Sequence, residues 1–136
     1  MIIFNYETDF KLVNEDKIRN WISLCIADYG FKEGEINYIF CDDEYLLKLN
    51  KEFLQHDTLT DIISFDYTVG KEIGGDIFIS VERVEENAKM YSQNTDNELN
   101  RVIIHGILHY FGFKDKTLND ANNMRDQEAI CLQKLI

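Results

Sequence analysis

The spacing of apolar residues changes several times along the chain, and each change marks a predicted element. Ile2 to Tyr6 reads as a short strand. From Asn14 the apolar residues Ile18, Trp21, Ile22, Cys25, Ile26 and Tyr29 recur at steps of three and four, the period of a helix with one buried face. Gly30 stands where such a helix would end. Glu35 to Cys41 alternates Ile36, Tyr38 and Phe40 with Glu35, Asn37 and Ile39, which predicts a strand. Asp42 and Asp43 suit the cap of a helix running to about Leu54, with Leu46, Leu49 and Phe53 on one side. Thr60 to Tyr67 and Gly75 to Val81 read as two more strands, joined as a hairpin through the glycine-bearing stretch Val69 to Gly74. A polar helix is predicted from about Glu82 to Ser92. Thr95-Asp96-Asn97-Glu98 has the form of a capping box ahead of an apolar helix from Leu99 to Phe111, which Gly112 stops. A last helix runs from about Leu118 to the end of the chain, with Ala121, Met124, Cys131 and Leu135 turned inward.

Strands and helices intermix without a regular repeat. The expected fold is α+β, a small mixed sheet of about four strands packed with about five helices. At 136 residues the chain has the length of one domain, 1–136.

Composition narrows the functional classes. Apolar residues make up 45% of the chain, enough for a core and too many for intrinsic disorder. There is no proline, which excludes polyproline and collagen-like segments. The formal net charge of -11 argues against a generic polyanion binder, which would carry a basic face. Yet the acids are unevenly spread: residues 1–94 hold 19 acids and 9 bases, whereas residues 95–136 hold six acids and five bases. A local nucleic-acid site in the second region is therefore compatible with the total, with Lys114, Lys116 and Arg125 as the available cations. Cys25, Cys41 and Cys131 are odd in number and lie in no CxxC pair, so they read as free buried thiols in a reducing cytosol. No run is long and apolar enough for a signal-peptide core or a membrane span. The expected location is cytoplasmic.

The chemistry concentrates in His105-Gly106-Ile107-Leu108-His109-Tyr110-Phe111-Gly112-Phe113-Lys114-Asp115. Residues four apart on a helix share a face, with Cβ atoms about 5–6 Å apart. Both imidazoles could then hold one ion. A glycine just past the helix adopts positive φ and reverses the chain, which would bring Asp115 back towards the pair. Each histidine alone also reads as a capped or solvated residue; Gly112 and Asp115 at this spacing favour a metal site. Three protein donors leave a fourth position open, as catalytic sites do. The spacing is also that of zinc proteases, whose general base is a glutamate after the first histidine. Gly106 stands there instead and opposes a metallopeptidase.

These residues resemble the signature of the YbeY family of bacterial endoribonucleases, approximately HGxLHLxGYDH. Leu49 to Phe65, which reads LNKEFLQHDTLTDIISF, is similar to the family's LNxxFRxxDxPTDVLSF, and Gly74 to Ser80 is similar to its GDIxIS strand. The matches span roughly residues 49 to 128. The resemblance implies a metal-dependent, single-strand-specific endoribonuclease acting in ribosomal RNA processing, notably 16S rRNA 3′-end maturation, and in ribosome quality control. It implies ribosomal RNA, the small ribosomal subunit and ribosome-associated proteins as partners, and one Zn²⁺ held by His105, His109 and Asp115.

The chain departs from the family pattern at two places. Asp115 stands where the family usually has histidine; a carboxylate is a sound zinc ligand, but it cancels one of the ion's charges and makes manganese or magnesium more competitive. Asp120 and Asp126 are the alternative ligands. Leu54 stands where the family typically has an arginine suited to phosphate, which favours a second reading, a ribosome-assembly factor that acts mainly by binding and uses the metal as a clip. Asp61, in the Thr60-Asp61 pair, is the candidate general base or ligand orienter, and equally a polar strand entrance. Asp76 reads as turn chemistry, Glu98 as the capping-box acid, Met124 as core and His56 as a solvated surface residue. Phe4, Tyr6, Trp21 and Tyr29 read as core.

Overall fold

The computed structural model describes residues 1–135 and follows the order β1 (Ile2–Tyr6), α1 (Glu15–Asp28), β2 (Lys32–Cys41), α2 (Asp43–Phe53), β3 (Ile62–Asp66), β4 (Glu72–Ser80), α3 (Val81–Met90), α4 (Thr95–Tyr110) and α5 (Leu118–Gln133). Ile136, the last residue of the expected terminal helix, lies outside the described residues. The four strands form one mixed sheet in the order β1-β2-β4-β3. β1 pairs parallel with β2, β2 pairs parallel with β4, and β3 runs antiparallel to β4. The fold is therefore the expected α+β arrangement of four strands and five helices.

Strand alternation decides which side chains meet which layer. Ile36, Tyr38 and Phe40 of β2 and Ile73, Ile77 and Ile79 of β4 are completely buried on the face covered by α1 and α4. A smaller cluster, Cys41, Leu46 and Ile63 with Leu49, Phe65 and Phe78 packed against it, lies under α2. Phe53, expected on the same apolar side of α2 as Leu46, is 56% exposed. α5 reaches across to α1, where Trp21 Nε1 donates to the Cys131 carbonyl at 2.8 Å. All three cysteines are free and buried, and the N-terminal aromatics pack on the core. Among the described residues no helix is long and apolar enough to cross a membrane.

The cap of the helix carrying both histidines lies one residue before the expected one. Asn94, not Thr95, caps it, with its side-chain oxygen accepting from the Asp96 and Asn97 amides. Both residues are good caps, so the sequence pattern is ambiguous by one step. At its other end Tyr110 Oη donates to the Phe65 carbonyl at 2.9 Å and anchors the helix to the sheet. A Cβ at Gly75 would collide with that hydroxyl, which explains the glycine. Asp76 belongs to β4 rather than to a turn: its Oδ1 accepts from Asn37 Nδ2 at 3.1 Å across the strand pair.

Candidate metal centre

His105 and His109 lie one turn apart on α4 with their rings edge to face, 4.6 Å between centroids. Their Nε2 atoms are 3.0 Å apart. The chain then turns through a complete Schellman motif: the Phe113 amide bonds the Leu108 carbonyl, the Gly112 amide bonds the His109 carbonyl, and Gly112 has φ +104. Only glycine takes that conformation without strain. Phe111 stacks between Phe31 at 4.6 Å and Tyr29 at 4.9 Å, and Phe113 meets Tyr29 edge-on. This aromatic clamp holds the returning loop, and Asp115 Oδ2 arrives 3.2 Å from both His105 Nε2 and His109 Nε2.

The three donor atoms all lie within 4.8 Å of one another. Metal–nitrogen bonds of about 2.0–2.1 Å require neighbouring donors roughly 3.3 Å apart around a tetrahedral ion and closer around an octahedral one. The observed separations of 3.0 to 3.2 Å match that requirement for a first-row divalent cation. The donor set, two imidazoles and a carboxylate, suits zinc. Asp120 and Asp126 do not join this cluster, and His56 is exposed on the loop after α2.

Behind the centre lies a buried charge network that sequence reasoning missed. His105 Nδ1 is 2.7 Å from Glu128 Oε2 on α5. Glu128 is only 2% exposed, and Arg101 Nη1 donates to the same oxygen at 3.1 Å. Arg101 also forks onto Glu98, with Nε to Oε1 at 2.9 Å and Nη2 to Oε2 at 2.8 Å. Glu98 is thus a buried partner of Arg101, not a capping-box acid. Burial alone would raise the Glu128 carboxyl, but the His105 hydrogen bond and the Arg101 charge win and hold it below the usual carboxylate range. An ionised carboxylate only accepts, so Nδ1 of His105 carries the hydrogen and the lone pair of the neutral ring sits on Nε2, facing the cluster. The signal for the network was a polar stripe, Glu98, Arg101, His105 and His109, that runs on from the polar first turns of the helix into its apolar second half. Glu128 could have been found at the buried spacing Met124, Glu128, Cys131.

Asp61 is half-buried just before β3, and its carbonyl accepts from the Ser80 amide. Burial pushes its carboxyl up, opposed by the charge of Arg101, which places it electrostatically beside the buried network behind the centre although outside the three-donor cluster. Gly106 faces the sheet. A Cβ there would lie 3.1 to 3.3 Å from the side chains of Ile62 and Ile77. The position where zinc proteases carry their base is therefore packing surface, and the geometry speaks against peptidase chemistry.

A mixed α+β sheet domain with two helix-borne histidines and a carboxylate on the following turn defines an open three-donor centre of the kind found in metal-assisted hydrolases. The model of the endoribonuclease YbeY family matches residues 3–136, and the chain belongs to that family. A relative from Flavobacterium johnsoniae named endoribonuclease YbeY is 63% identical over 128 residues, covering 94% of this chain and 92% of that one. Another from Parabacteroides distasonis is 44% identical over 130 residues, covering 94% and 92%. The solution structure of TM1509 from Thermotoga maritima is similar, with TM-score 0.73 and 25% identity, covering 99% of this chain and 89% of that one.

Proposed function

We propose that this chain is a metal-dependent, single-strand-specific endoribonuclease of ribosomal RNA processing. The reading includes 16S rRNA 3′-end maturation and ribosome quality control, with ribosomal RNA, the small ribosomal subunit and ribosome-associated proteins as partners. The observation that carries it is the convergence of His105, His109 and Asp115, with Glu128 fixing the tautomer of His105. These three residues would hold one Zn²⁺. Bound there, the ion supplies Lewis-acid polarisation of a phosphoryl oxygen and lowers the pKa of water. The chain's own groups supply the rest. Glu128 and Arg101 keep His105 in one orientation, and the clamp on Phe111 and Phe113 keeps Asp115 at the rim. Asp61 is the candidate acceptor of the proton lost by the attacking water, because burial raises its basicity above that of a solvated carboxylate. Family membership supports the RNA substrate, and three free buried cysteines fit a cytoplasmic location.

The deciding experiment compares purified wild type with His109→Ala. Wild type should contain about one zinc per chain by elemental analysis and cut single-stranded RNA and a 16S precursor. His109→Ala should lose both metal and cleavage. A variant with full metal content and full cleavage overturns the assignment. Wild type that carries metal but cuts no RNA would instead favour an assembly factor.

A further inference from the structure

A cavity of about 730 Å³ opens between α4 and α5, a volume within the roughly 300–1,000 Å³ of small-molecule sites. Arg101 and Glu128 line it, so its wall is one side chain from His105. Asn97 and Asn100 of α4 face Arg125 and Leu132 of α5 across it.

We propose that this cavity is a nucleotide subsite. It takes the nucleotide of a single-stranded RNA next to the one cleaved, with Arg125 as the phosphate contact. The inference rests on the endoribonuclease reading and deepens it. Arginines are the natural phosphate forks, and three of the chain's four are engaged: Arg19 with Asp16 at 2.7 Å, Arg83 with Asp43 at 2.7 Å and Arg101 with Glu98 at 2.8 Å. Among the described residues Arg125 has only Glu128 Oε1 at 3.8 Å, and its side chain is 62% exposed. Among the described residues that same Oε1 is buried without a hydrogen-bond partner. A guanidinium carries five N–H donors. Arg125 can therefore close on Oε1 with one edge and hold a phosphate with the other, which removes the cost of an unpaired buried oxygen.

The rest of the cavity suits a base. Leu132 supplies an apolar wall, and Tyr91, 56% exposed at the mouth, supplies a ring for stacking. Asn97 and Asn100 offer donors and acceptors together, as base edges require. The carboxylates of Glu98 and Glu128 are matched by the guanidiniums of Arg101 and Arg125, so a single phosphate meets no local excess of acid in a chain whose net charge is -11.

The test uses the full-length, metal-loaded protein. Uridine 5′-monophosphate should shift the side-chain amide signals of Asn97 and Asn100 in NMR, whereas inorganic phosphate should move the Arg125 guanidinium signal alone. Arg125→Ala should weaken binding of a short single-stranded RNA about tenfold, as expected for one charge-assisted hydrogen bond. It should also lower the salt slope of binding by about 0.7 and raise KM more than it lowers kcat. Metal affinity, measured by chelator competition, should stay at the wild-type value. Ala129→Trp, on the exposed side of α5, should fill the cavity and give the same loss. Wild-type RNA affinity and salt slope in both variants, or monophosphate shifts confined to the metal-centre residues, would overturn the proposal. Robust RNA cleavage with both variants indifferent sinks the subsite and leaves the endoribonuclease reading standing. Occupancy of the cavity by the monophosphate without any RNA cleavage sinks the reading and leaves the nucleotide site.

Discussion

Arg83 and Arg101 each grip a carboxylate, but the regions around them are balanced differently. Arg83 on α3 holds Asp43 of α2 at 2.7 Å, and Ser80 Oγ donates to the same carboxylate at 2.7 Å. One acid meets one base, and the result is a clip between two helices. Arg101 is shared by Glu98 and Glu128, both nearly inaccessible to water. Among its buried groups that region keeps one carboxylate in excess; Arg125 approaches it only from the surface, at 3.8 Å, and the buried contacts end on His105. A buried charge without its own partner is costly, so it is retained where something positive completes it. Beside Arg101 the completing charges are Arg125 at the surface and, through His105, the ion that His105, His109 and Asp115 are placed to hold. The contrast separates a structural ion pair from a functional one by charge count and by where the chain of contacts ends.

The largest effect that tests this contrast is expected at Asp61, the further acid on the overloaded side. As general base its removal should slow cleavage by about 10²–10⁴-fold. Burial raises the Asp61 carboxyl above its ordinary value. A group whose folded pKa lies above its unfolded one opposes folding wherever it is ionised in the unfolded chain. Asp61→Asn should therefore be more stable than wild type at neutral pH, and the gain should vanish below the ordinary carboxylate range. Urea unfolding at neutral and acidic pH, beside single-turnover cleavage, checks both. Slower cleavage without a stability gain would reduce Asp61 to a structural residue.

Next in size is Glu128→Gln. An amide keeps the shape but can donate to Nδ1 of His105, which would move the ring hydrogen to Nε2 and turn the lone pair away from Asp115. Metal affinity should fall by about 10–100-fold, the usual cost of losing such an orienting partner. Nitrogen NMR shifts of His105 in the metal-free protein should show the tautomer change. An unaltered tautomer with unaltered affinity would mean that Glu128 serves Arg101 alone, as Asp43 serves Arg83.

The α+β arrangement, the HxxxH helix and its glycine stop were legible because each depends on local chemistry: periodicity along α4, and positive φ at Gly112. The three-donor centre followed, since the Schellman turn nearly determines where Asp115 goes. Glu128 was not legible as a partner, because its role depends on how α5 crosses α4, and sequence spacing says nothing of that angle. Glu98 was misread for a related reason. Its distance from Thr95 fits a cap, and only the position of Arg101 and the burial of the stripe show the other use. Asp76 was assigned to a turn because two glycines precede it, yet Gly75 is there to admit Tyr110 into a continuous strand.

The smallest effect is expected on the balanced side. Burial pushes the Asp43 carboxyl up, but the bonds from Arg83 and Ser80 outweigh it and hold the group below its ordinary value. Its contribution to stability is thus present above the ordinary carboxylate range and is lost as pH falls through the depressed folded value. Asp43→Asn removes the charge while keeping a hydrogen-bonding side chain. It should cost about 1 kcal/mol at neutral pH, a melting shift of roughly 3–5 °C, and the difference should shrink in acid. RNA cleavage and metal content should not change, because the path from Asp43 through Ser80 ends on the main-chain carbonyl of Asp61 and not on its carboxylate or on His105. If Asp43→Asn lowered metal affinity as Glu128→Gln does, charge count would no longer distinguish the two arginines, and the centre would depend on the stability of the whole fold.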